Sequence, residues 1–232
     1  MSWLTSPILA LDTESTSTDP ETARILTCCV GYSDRPGRWE PTTWRINPGV
    51  PIPPEATKVH GITDADVADW QQPADALAEI REALLRTAEA GVPVVLHNAP
   101  YDLTLLDREM RRHLGLELPA GLIILDTLVI FRRLDRSTGS RRLEDLAYRE
   151  GIRFPAHDAT EDALAALRLL HIMGSRNDLI GDVPAPVLHE RQEQWHAHHQ
   201  QAAHEKALGN GDRSRALEID WPLRPYPTHA VA

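Results

Sequence analysis

The sequence predicts an α/β domain: a mixed five-stranded sheet flanked by helices, followed by a C-terminal helical extension. Three features carry that expectation. Three short apolar runs separated by turn signals open the chain. Segments with helical spacing then alternate with short β-branched runs. After Gly174 the composition shifts toward His, Gln, Ala and Pro, which places a boundary near residue 175: residues 1–175 as the core domain, 176–232 as a helix and tail.

The elements follow in order. Ile8 to Asp12 is a short apolar run ending in acid, the first strand. Ile25 to Tyr32 and Arg38 to Ile46 are the second and third, and the turn signals Asp19-Pro20 and Arg35-Pro36-Gly37 join them as antiparallel hairpins. A Pro-rich loop runs from Pro48 to Pro54. From Pro73 to Ala90, Leu77, Ile80, Leu84 and Ala88 recur at helical spacing. Val92 to His97 is a β-branched strand leading into a helix near Pro100, with Leu103, Leu106 and Met110 on its apolar face. Leu122 to Leu125 is the last strand, and helices follow at Leu143 to Arg149 and Ala159 to Met173. Three meandering strands followed by helix–strand–helix–strand–helix is a ribonuclease-H-like order, which periodicity alone does not separate from other layered α/β folds.

Composition narrows the function classes. A formal net charge of −10 argues against a protein that coats nucleic acid through bulk electrostatics. It leaves room for an enzyme that grips a strand end through cations, since carboxylates that bind metal are neutralised by it. No apolar run approaches the ~20 residues a bilayer requires, and no membrane partner is expected. Met1 to Pro7 has neither a basic segment nor a cleavable apolar one, so a cytoplasmic location is expected. The two cysteines, Cys28 and Cys29, are adjacent on a strand and point to opposite faces, so they are expected as separate core thiols rather than a disulfide.

The chemistry lies in five residues, each at a strand end or a helix start. Asp12 and Glu14 are two apart on a strand and share a face. Asp102 falls in the first turn of the helix after the fourth strand, and Asp162 in the first turn of the last core helix. Asp158 is a candidate N-cap there, with Glu161 placed for a capping box, and His157 just precedes it. Clustered carboxylates raise one another's pKa values and cost stability. Two divalent cations ~3.5–4 Å apart relieve this and create a phosphoryl-transfer site, and all-oxygen ligation suits Mg²⁺ or Mn²⁺. A histidine titrates near neutrality and can accept a proton from the attacking water.

Leu11-Asp12-Thr13-Glu14-Ser15-Thr16, His97-Asn98-Ala99-Pro100-Tyr101-Asp102 and His157-Asp158-Ala159-Thr160-Glu161-Asp162, in that order, resemble the three motifs of the DnaQ-like, DEDDh-type 3′–5′ exonucleases, which include the proofreading subunits of bacterial replicases. Val59-His60-Gly61-Ile62-Thr63, between the first two, resembles the proofreading branch more than the oligoribonuclease branch. The resemblance spans residues 7 to 174. It implies a metal-dependent 3′–5′ exonuclease with Asp12, Glu14, Asp102 and Asp162 as ligands and His157 as general base. It also implies nucleic-acid contacts from Thr13, Ser15, Thr16, His60 and Asn98. Ser17 stands where the family usually has glycine, which would allow backbone conformations costly for serine.

Weaker signals complete the account. Arg132, Arg133, Arg136, Arg141 and Arg142 surround Ser137-Thr138-Gly139-Ser140; they suit either a phosphate-gripping loop, with Arg141 as a nucleic-acid contact, or a solvated turn. His189, His196, His198, His199 and His204 have no compact ligand spacing, so they are expected on an amphipathic surface helix with Leu188, Trp195 and Ala202 inward. Trp221-Pro222-Leu223 is expected to pack back on the domain or on another subunit. The expected partners are DNA 3′ ends, with RNA as the alternative, and replication proteins. A non-catalytic binding module would have no need of all five candidate residues.

Overall fold

The computed structural model describes residues 2–35, 37–135, 139–214 and 216–227. A single 3₁₀ turn at Trp3–Thr5 precedes β1 (Ile8–Ser15), β2 (Ile25–Ser33) and β3 (Glu40–Arg45). Helices α1 (Pro54–His60), α2 (Asp64–Val67) and α3 (Pro73–Glu89) lead to β4 (Val94–Leu96) and α4 (Ala99–Leu114). Then come β5 (Ile124–Asp126), α5 (Thr127–Leu134), α6 (Leu143–Arg149), α7 (Ala159–Ser175), α8 (Asp178–Gly181) and α9 (Ala185–Gly209). The sheet order is β3-β2-β1-β4-β5. The first three strands form the expected antiparallel meander, and β4 and β5 join in parallel.

The first turn is built as its sequence suggests: Asp19 Oδ2 accepts from the Thr22 hydroxyl at 2.8 Å and its carbonyl from Ala23 N–H at 2.9 Å. In the second, Arg38 N–H reaches Arg35 O at 3.1 Å; Pro36 lies outside the described residues. Strands four and five are shorter than expected, because the backbone groups of Val92 and Leu122 join no ladder.

Period-two alternation gives the sheet two cores. Ile8, Ala10 and Cys29 pack with Ala163, Leu167 and Leu170 of α7. Leu9, Leu11 and Cys28 pack with Leu77 and Ile80 of α3 and Leu103 and Leu106 of α4. The cysteines are free, buried and on opposite faces. The same alternation carried to the end of β1 sends Asp12 and Glu14 toward α7 and Thr13 toward α4.

Helices α1, α2 and α8 form in stretches assigned no helix, and two further parts of the chain depart from the sequence-based expectation. Helix α5 falls in a stretch assigned no helix; its buried run, Thr127 to Phe131, is only five residues long before Arg132 and Arg133, too short for its period to separate helix from strand. Helix α9 forms, but its buried residues are Ala185, Leu188, Gln192 and His196, while Trp195 is half-buried. The inward stripe is polar because it covers the outer edge of β5. His189 Nδ1 accepts from Ile124 N–H at 2.9 Å. Gln192 Oε1 accepts from Asp126 N–H at 2.7 Å, and its Nε2 donates to Ile124 O at 3.0 Å. Side chains thus supply the bonds a sixth strand would make. Trp221 is 6 % exposed and packs back on the α3–α4 side of the sheet. Among the described residues, no helix is long and apolar enough to cross a membrane.

Candidate active site

The site forms where β1 ends between α4 and α7. Asp12, Glu14 and Asp162 each present an oxygen within 4.8 Å of the others. A bulge in β2 opposite Glu14–Ser15 leaves Leu26 without a partner on β1, turning the strand end beside the cluster. Asp102, 4 % exposed, approaches from α4 and is not one of that trio. Its Oδ1 accepts from Thr13 N–H at 3.1 Å and from the Thr13 hydroxyl at 2.7 Å. Thr13 therefore works as a tether between β1 and α4, a role the alternation of β1 makes available.

The electrostatics would suit a bound cation. Burial pushes Asp12 well above the usual carboxylate range, with Asp102, Asp162 and Glu14 adding to it. Burial, then Asp162 and Asp102, raises Glu14 to about 8. Burial raises Asp102 to about 7 against the opposing bonds from Thr13. Asp162 is raised to about 6, again by burial, moderated by the bond from His157 N–H. Oxygen donors that repel one another in a buried cleft fit hard divalent cations, which would remove the penalty.

His157 has φ 68, a left-handed conformation unusual for a non-glycine residue. It is held by its own N–H, which donates to Asp162 Oδ2 at 2.7 Å. The imidazole is 47 % exposed, and its Nε2 lies 3.8 Å from Glu144 Oε2. Asp158 caps α7 through the N–H groups of Thr160 and Glu161, while the return bond of a capping box from Glu161 is absent among the described residues. The neighbouring Asp162 reaches back instead, to His157.

Thr13, Ser15, Thr16 and His60 line one cavity of about 460 Å³ beside Glu14, closed on one side by Tyr101. Thr16 Oγ1 accepts from Arg24 N–H at 2.9 Å. Ser15 Oγ bonds the Tyr101 hydroxyl, which also donates to Ser17 O. Ser17 is not among the positive-φ residues, so serine fits this loop without left-handed strain. His60 Nδ1 accepts from Ile62 N–H at 3.0 Å, while its Nε2 is buried at the cavity, beside the Ser15 backbone. Asn98 is exposed and lines an adjoining cavity that shares Thr18 and Tyr101 with the first.

Among the described residues, Arg133, Arg141 and Arg142 do not gather into one grip. Arg133 stacks on Trp195, Arg142 pairs with Glu144, and Arg141 folds over Phe131 and toward Asp135. The Arg141 carbonyl bonds His97 Nε2 at 2.9 Å, so its backbone, not its guanidinium, has the described tie to the second motif. Arg136, Ser137 and Thr138 lie outside the described residues. Sequence reasoning missed Tyr101, although it stands inside the quoted second motif; an aromatic residue at a helix start resembles a core residue. Glu144 beside His157 gave no local signal.

Residues 9–170 match the profile of the RNase_T family, described as exonuclease. The chain belongs to this family. The chain is 37 % identical over 139 residues to the DNA polymerase III subunit epsilon-like protein of Rhodobacter capsulatus, covering 56 % of this chain and 18 % of that protein. It is 33 % identical over 139 residues to DNA polymerase III subunit epsilon of Haemophilus influenzae, covering 57 % of this chain and 52 % of that one. Among solved structures, E. coli exonuclease I in complex with a dT13 oligonucleotide shares the fold with a TM-score of 0.64 at 22 % identity, over 74 % of this chain and 41 % of that chain. The matched stretch thus spans about half or less of each of these proteins. The sheet, its flanking helices and their order are those of this ribonuclease-H-like group.

Proposed function

We propose that this exonuclease domain hydrolyses the terminal phosphodiester at 3′ ends of DNA, single-stranded or frayed, releasing nucleoside 5′-monophosphates. The observation that carries this is the convergence of Asp12, Glu14 and Asp162 within 4.8 Å, with Asp102 tethered alongside. The names of the relatives, and the DNA oligonucleotide bound to exonuclease I, favour DNA over RNA. Two Mg²⁺ or Mn²⁺ ions bound by these carboxylates would supply activation of the attacking water and stabilisation of the leaving 3′-oxygen.

The remaining roles belong to the chain. Thr13 keeps Asp102 turned toward β1. Asp162 fixes the backbone of His157, and the half-exposed imidazole, beside Glu144, accepts the proton of the attacking water. The cavity between Thr13–Thr18, His60 and Tyr101 takes the terminal nucleotide. Asn98 meets the strand beside it, and replication proteins are the partners such an activity would serve.

The test uses matched DNA and RNA oligonucleotides, labelled and blocked at one end or the other, with Mg²⁺, Mn²⁺ or excess chelator. Digestion should need a free 3′-hydroxyl and a divalent cation, ignore a 5′ block and prefer DNA. Full activity in chelator, or cutting of a circular strand, would refute the proposal; preference for RNA would move it to 3′-end trimming of RNA.

A further inference from the structure

Asp126, the last residue of β5, has a fully buried carboxylate. It is the N-cap of α5, with Oδ1 accepting from Leu128 N–H at 2.9 Å and Val129 N–H at 3.4 Å. That is an ordinary helix cap. Three further donors are not. Oδ1 also accepts from Asn98 N–H at 3.0 Å, and Oδ2 from Ala99 N–H at 2.9 Å. Oδ2 accepts as well from the Trp221 indole N–H at 3.3 Å. Asn98 and Ala99 open α4, the helix whose first turn carries Asp102. One carboxylate therefore caps two helices and receives a bond from the C-terminal segment.

The turn it holds is unusual. Asn98 has φ 75 and ψ 53, and its own side chain makes no cap bond. A left-handed residue outside glycine persists only when its surroundings fix it. The C-terminal segment is in turn clamped along α4. Arg224 N–H donates to Thr104 Oγ1 at 3.1 Å, and Arg108 Nη2 donates to Pro225 O at 2.8 Å. Trp221 lies beyond residues 9–170, the stretch matched by the family profile.

We propose that Asp126 is a positioning residue for the carboxylate site and that Trp221 completes it: together they fix the turn at Asn98 and thereby the place of Asp102. The inference rests on the metal-dependent activity proposed above. Its physical basis is that a ligand is held by the groups behind it, whose loss typically costs ~10–100-fold in metal affinity or activity. Asparagine at position 126 would set an amide NH₂ against N–H donors on one side. Phenylalanine at 221 would keep most of the ring and remove only the donor.

The experiment compares full-length wild type, Asp126→Asn, Trp221→Phe and a control, Trp44→Phe on β3, at the sheet margin opposite β5, which loses an indole bond of 2.9 Å to Glu79. Mn²⁺ affinity is measured by calorimetry, amide exchange by mass spectrometry on the peptide 97–103, and kcat and KM on an oligonucleotide. Asp126→Asn should weaken Mn²⁺ binding by ~10–100-fold. Trp221→Phe should weaken it by a few-fold. Both should speed exchange at 97–103 and lower kcat with KM little changed, while Trp44→Phe matches wild type. Should Asp126→Asn not fold, Trp221→Phe decides. Folded variants with wild-type Mn²⁺ affinity and unchanged exchange at 97–103 would overturn the proposal. If wild type binds no Mn²⁺, or Asp12→Ala binds it equally well, the metal site itself is wrong and this inference falls with it; the Asp12→Ala titration separates that failure from a failure at Asp126.

Discussion

At the residue scale, three side chains in the cluster invite direct tests. Asp12 belongs to the trio and feels Asp102, Asp162 and Glu14 together, so Asp12→Ala should abolish turnover and remove the Mn²⁺ signal in a calorimetric titration; wild-type rates at saturating Mn²⁺ would exclude it as a ligand. Thr13→Val takes away the hydroxyl that accounts for the shorter of Asp102's two bonds to Thr13. That bond holds the Asp102 carboxyl down, so its loss should raise the pKa further and increase the Mg²⁺ concentration for half-maximal rate at pH 7 by ~10-fold. For His157 the informative substitution is asparagine, because φ 68 penalises alanine and asparagine tolerates it. The anchoring bond to Asp162 is a backbone bond and survives the change. His157→Asn should therefore lower kcat by ~10²–10⁴-fold, the usual worth of a general base, with metal and strand affinity retained. A loss of affinity in proportion to rate would make it a binding residue instead.

At the element scale, α9 replaces a strand with side chains. Gln192→Leu would strand Asp126 N–H and Ile124 C=O, both otherwise bonded to that amide. Two buried groups left unsatisfied, at ~1–3 kcal/mol each, should cost about 2–6 kcal/mol in urea unfolding. Gln192→Glu restores the acceptor alone and should fall between; a loss below ~0.5 kcal/mol in both would mean that water replaces the amide. This helix also marks the limit of what the sequence discloses. The strands, α3, α4 and α7 are legible because their apolar residues follow the period of the element. The clustering of Asp12, Glu14 and Asp162 is legible because a strand's alternation and a helix's first turn fix where those side chains go. Gln192 and His189 are not, because what they satisfy is the backbone of β5, about 65 residues earlier. A polar residue that serves a distant peptide group looks, in sequence, like one that faces water. Asp126 is hidden for the same reason: its local signal is only that of a helix cap.

At the scale of the whole molecule, the four acids set how stability responds to pH. With folded pKa values of about 8 for Glu14, about 7 for Asp102 and about 6 for Asp162, the native state binds protons that the unfolded chain, near ~4, has released. Raised carboxylates contribute stability below pH ~4 and lose it as pH climbs through their folded values, so the metal-free protein should melt at a lower temperature at pH 8 than at pH 5. Cations need the deprotonated ligands, so the gain in Tm from Mn²⁺ should be larger at pH 8 than at pH 5.5. Calorimetry over that range, with and without Mn²⁺, checks both slopes; a flat profile that ignores the ion would contradict the cluster's electrostatics. The two margins of the sheet bear on a different property. Strand β3, at one margin, carries Glu40, Pro41 and Arg45, mostly exposed. At the other, the side chains of α9 occupy the pairing groups of β5. The charges and Pro41 of β3 discourage pairing at its margin and α9 fills the ladder of β5, so a shortened protein lacking residues 185–232 would bare the β5 margin and become prone to edge-to-edge aggregation.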